Sequence, residues 1–150
     1  MRALLAGVAL AAMLSVSTSA QSNEALAQEH YLREVEVSLW ELVAAAMYHA
    51  AAPDAQGQIR GGQDPDTTPT DEFQKQIGEV EQHWTQWKAV AGDDSADAAA
   101  AFEAAYLQFV SLAEEVISTD SPSDAQLLEM WRAAHAADDV LDQSLKVTGQ

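Results

Sequence analysis

Between Leu26 and Ala52, apolar residues recur at Leu32, Val35, Leu39, Leu42, Val43, Ala46 and Ala50. Steps of three and four are the spacing of a helix with one apolar stripe. A helix of that length spans about 40 Å and is marginal alone in water, so it needs partners. Three more striped segments supply them. Phe73, Ile77, Val80, Trp84 and Trp87 make the second stripe, and Ala98, Phe102, Ala105, Phe109, Leu112, Ala113 and Val116 the third. Leu127, Leu128, Trp131, Ala134, Leu141 and Leu145 make the fourth. The pattern predicts an all-α protein, an antiparallel up-down-up-down four-helix bundle with helices over residues 24–52, 69–91, 95–118 and 122–146.

Punctuation between the stripes agrees. Thr68-Pro69-Thr70-Asp71 places a hydroxyl N-cap before a proline at the first helical position, and Ser121-Pro122-Ser123-Asp124 repeats that order. Gly92 suits the residue that closes the second helix, and Asp93-Asp94-Ser95 opens the third with acids at its positive end. Residues 53–67, rich in Pro, Gly, Gln and Asp, form a connection longer than compact bundles use.

The first twenty residues change the picture. Arg2, the apolar run Ala3 to Val16 and the small residues Thr18-Ser19-Ala20 have the form of a signal peptide, 1–20, cleaved after Ala20. The alternative is an uncleaved anchor, but the run is shorter than the ~20 residues that span a bilayer. Ala25-Leu26-Ala27 offers a second cut site. Residues 21–150 then form one domain, with a periplasmic or secreted destination. With no Cys, the exported chain has no disulfide, no lipoprotein anchor and no covalent haem.

Charge narrows the partners. The chain holds 7 Lys+Arg against 24 Asp+Glu, a net of −17, and loss of Arg2 takes the remainder to −18 (−17 − 1). Nucleic acid is excluded as a partner, and so is an anionic membrane surface after signal cleavage. A solubilising surface explains the acidity, as does a cationic ligand or protein partner; a homodimer is also compatible.

Candidate chemistry gathers on the fourth helix. On a wheel centred on Trp131, Asp138 falls at about −20°, Asp142 at about +20° and His135 at about +40°. In an antiparallel bundle Glu36 reaches the height of Asp138, with Arg33 one turn away. Glu36, His135, Asp138 and Asp142 are therefore the candidate metal ligands, a set suited to a divalent cation, and no other cofactor is firmly implied. The competing reading pairs Asp138 with Arg33 or sets it beside a hydrated gap. His83 and His135 lie at similar depths and form a weaker two-histidine candidate. Trp84 and Trp87, with Trp131 opposite, are candidates to line an apolar pocket, or are simply core fillers. Trp40 lies about 100° off its stripe, as a surface contact would. No Glu-x-x-His, Gly-x-Ser-x-Gly or phosphate-binding glycine loop occurs, so the expectation is a non-enzymatic protein.

The outline, with Tyr31-Leu32-Arg33 opening the first helix and His135-Ala-Ala-Asp138-Asp139 on the last, resembles the periplasmic four-helix-bundle cytochromes of the c-prime and soluble b types. That resemblance implies haem ligated from the last helix and electron transfer. The sequence departs from it in lacking Cys-x-x-Cys-His. Met47, the one Met of the first helix, lies roughly 12 Å along the bundle from His135, against the ~4 Å that two axial ligands need. The leading expectation is an exported acidic bundle that binds a cation, small ligand or protein partner. A metal- or haem-binding electron-transfer protein is the alternative.

Overall fold

The computed structural model describes residues 3–51 and 68–148, with side chains of the first helix from Asn23 onward. The predicted connection 53–67 and the last two residues lie outside the described residues. Among the described residues there are four α-helices and no strand: α1 Ala3–Ala51, α2 Pro69–Val90, α3 Ala96–Ser118 and α4 Asp124–Thr148, with a 3-10 turn at Asp93–Ser95. The four-helix, all-α expectation is met.

The stripe of α1 is buried as its spacing requires. Leu32, Val35, Leu39, Leu42, Val43 and Ala46 are at most 2% exposed. The helix differs at its start, running from Ala3 instead of beginning near residue 24. Between Ala3 and Ala51 there is no Pro and one Gly, Gly7, so nothing local stops the helix at the predicted cleavage point. Among the described residues no helix is long and apolar enough to cross a membrane.

α2 begins as its sequence dictates. The Asp71 amide donates to Thr68 Oγ1 at 3.1 Å, and the Thr68 amide donates to Asp71 Oδ2 at 3.0 Å, with Pro69 at the first helical position. This reciprocal box satisfies donors that every helix start leaves free. The far end departs from expectation. Gly92 has φ −74° and ψ 172°, so it does not close the helix in the left-handed region. Ala91 caps it instead, its amide donating to Trp87 O at 2.8 Å.

α4 starts two residues later than the proline signal implied. Ser123 is its cap: the Gln126 amide donates to Ser123 Oγ, and the Ser123 amide donates to Gln126 Oε1 at 2.9 Å. A Ser-x-x-Gln box supplies two reciprocal bonds, which Pro122, lacking an N–H, has no part in. The buried face of α4 is also rotated. Met130, Ala133, Ala134, Ala137 and Leu141 are buried while Trp131 is 40% exposed. Those five residues point about 100° away from Trp131 on the helical wheel. Ala134 and Leu141 of the predicted stripe are buried, whereas its Leu128 and Trp131 are 47% and 40% exposed. The small alanines, not the tryptophan, allow close helix packing.

α1 packs most extensively on α2, and α3 on α4, while α1 also touches α4 and α3. Gln28 Nε2 of α1 donates to Val90 O at the end of α2 (2.9 Å), and Thr70 at the start of α2 lies 3.5 Å from His49 Nδ1. α2 and α3 meet through Trp84 against Phe102 and through Glu103, which accepts from Trp84 and Lys88. Two faces follow from this arrangement, one between α1 and α4 and one between α2 and α3.

Candidate functional site

The rotation of α4 turns Trp131, His135, Asp138 and Asp142 towards the flank of α1, where Glu36 and Trp40 stand one turn apart. Trp40 is the residue that organises this face. Its indole Nε1 donates to Asp138 Oδ1 at 3.0 Å. Its ring lies 5.4 Å from that of Trp131 and 5.0 Å from that of His135, centroid to centroid. Trp131 and His135 meet edge to face at 4.9 Å. Both contacts of His135 are edge-to-face, a preferred aromatic geometry, while the two indoles are tilted by 58°.

Carboxylates surround the rings. Burial raises the pKa of Glu36, the Asp138 and Asp142 charges raise it further, and Arg33 opposes them. Burial also raises the pKa of Asp138; Asp142 and Asp139 add to it, while the Trp40 hydrogen bond and His135 work against it. Like charges at close range in partly desolvated positions have this effect. The structure thus brings Glu36, His135, Asp138 and Asp142 to one face, as counting heights along the helices suggested.

Among the described residues no three His, Asp or Glu side chains are placed to hold a metal ion. Each has other neighbours. Asp138 Oδ1 is taken by Trp40, Asp142 lies 3.7 Å from Lys146, and His135 packs its ring against two indoles. The Asp138–Arg33 pairing is not formed either, because Arg33 binds Glu29 at 3.0 Å within α1. Nor do the two histidines meet. His83 lies 3.2 Å from Gln86 on α2, whereas His135 belongs to the α1–α4 face.

The predicted tryptophan pocket splits in two. Trp84 and Trp87 stack at 4.4 Å with 19° between planes, and Trp84 meets Phe102 at 4.3 Å. Trp131 is not with them; it packs on Trp40. Tyr106, which the sequence reading passed over, is 7% exposed and packs parallel to Phe102 at 5.6 Å. Its signal was present, four residues after Phe102 and three before Phe109, the same-face spacing of a helix.

The α1–α4 face therefore offers exposed and half-buried indoles beside carboxylates held close to one another. Such an arrangement attracts a cation twice, through ring quadrupoles and through charge. Comparison with known protein families, with curated proteins and with solved structures returns no match.

Proposed function

We propose that the protein is an exported, non-enzymatic binding protein, an up-down-up-down antiparallel bundle whose α1–α4 face holds an organic cation of the guanidinium or ammonium class. The observation that carries this reading is Trp40, hydrogen-bonded to Asp138 and packed at a tilt against the exposed Trp131. Glu36 and Asp138 stand there with raised pKa values, so a positive group relieves their repulsion. The chain's net charge of −17 draws cations towards it from a distance.

Antiparallel order is supported by side-chain pairs that join a late position of one helix to an early position of the next: His49 with Thr70, Trp84 with Glu103, and Glu115 with Gln126. Export is supported by the basic, apolar and small-residue order of residues 1–20. A non-enzymatic role is supported by the neighbours of His135, two indoles and a carboxylate instead of a hydroxyl nucleophile.

Titration of the purified protein with argininamide, followed by tryptophan fluorescence, tests the reading. Saturable binding is expected, weakened roughly fivefold or more by Trp131→Ala or Asp138→Asn. Glu114→Gln, an exposed acid on α3, is the control and should bind as the parent does. Affinity should rise with pH as Glu36 and Asp138 lose their protons, above the ordinary carboxylate range. Equal weakening by all three substitutions reduces the binding to non-specific charge attraction and overturns the site.

A further inference from the structure

On the opposite side, α2 and α3 leave a groove of about 330 Å³, near the lower end for small-molecule sites. Val80, Trp84 and Phe102 form much of its apolar wall, and Leu107, 66% exposed, stands at its edge. Trp87, Trp84, Phe102 and Tyr106 continue one another as a ladder of rings. A flat ring system can extend such a ladder.

Tyr106 supplies the second, independent observation. It is more than nine-tenths buried, yet its hydroxyl has no hydrogen-bond partner among the described residues. Leaving a buried hydroxyl unbonded is unfavourable, and a partner brought by a ligand removes that penalty. Burial and the nearby Glu81 carboxylate keep the phenol protonated, so it acts as a donor. The charged groups at the groove narrow the ligand further. Lys88 is held by Glu103 at 2.7 Å, and Glu103 also accepts from Trp84 Nε1 at 3.0 Å. With its one cation neutralised, and in a strongly acidic chain, the groove disfavours anions.

We infer that the α2–α3 groove is a second binding site, for a small uncharged aromatic molecule that carries one hydrogen-bond acceptor for the Tyr106 hydroxyl. The site is independent of the cation-binding face, since none of its lining residues belongs to α1 or α4.

Quinoline and naphthalene, alike in shape but differing in the ring nitrogen, are the probes. Quenching of Trp84 and Trp87 emission should show quinoline binding roughly five- to tenfold more tightly than naphthalene. Tyr106→Phe should erase that preference and leave naphthalene binding unchanged. The same variant should unfold at higher urea, because it removes an unbonded buried hydroxyl without changing the ring. Leu107→Asp, at an exposed position that tolerates substitution, should weaken both probes. No saturable quinoline binding, a preference that survives in Tyr106→Phe, or a Tyr106→Phe variant less stable than the parent each overturns the inference.

Discussion

Glu36 and Asp138 hold their protons more tightly in the folded chain than in the unfolded one. The sign follows directly. A carboxylate whose folded pKa is raised does no harm below the ordinary carboxylate range, about pH 4, and destabilises as pH rises through its folded pKa. Both groups are only half-buried, so solvent screening keeps each effect to about 1 kcal/mol or less. Glu36→Gln should therefore stabilise the protein at pH 7 by up to about 1 kcal/mol and leave stability at pH 3.5 unchanged. Urea unfolding at the two pH values measures this; an equal gain at both, or a loss at pH 7, contradicts the crowding of charge. Glu103 behaves oppositely. Lys88 and Trp84 bond to it and lower its pKa, so its contribution is present above the ordinary range and fades as acid protonates it. The carboxylates of the α1–α4 face thus carry an electrostatic cost that Glu103, on the α2–α3 face, does not share.

The helices were legible where many side chains report the same period. Six of the seven stripe residues of α1 are buried, and Ala50 is half-buried. Thr68 caps α2 as its neighbours implied. The heights along α1 and α4 that put Glu36 near Asp138 were readable as well, because rise per residue is fixed. Rotation about the helix axis was not. In α4 the apolar residues are sparse, and Trp131 outweighed the alanines that in fact face the core. Trp40 gave its own signal by lying off its stripe, but its partner on α4 depended on that rotation. Helix starts compete in the same way. Ser121 and Ser123 both precede α4, and only the bond between Ser123 and Gln126 decides between them. Ser123→Ala should accordingly lower stability by about 1 kcal/mol, while Ser121→Ala changes it little. Denaturant midpoints of the two variants check the assignment, and the reverse order would restore the proline-based start.

The four helices close a core of Leu, Val, Ala and aromatic residues and leave two outward faces. One holds half-buried carboxylates against tryptophans between α1 and α4; the other holds an unbonded phenol in an aromatic groove between α2 and α3. Strong net acidity affects both. Added salt should weaken argininamide binding, because it screens the attraction, and should leave quinoline binding nearly unchanged. The most direct test of the proposed cation site uses the indole N–H resonances of the four tryptophans in a ¹⁵N-labelled sample titrated with argininamide. Trp40 and Trp131 should shift together and saturate, with Trp40 moving most because its N–H is bonded to Asp138, while Trp84 and Trp87 stay still. Indole signals that all remain in place, or that all four drift in parallel without saturation, would contradict the account.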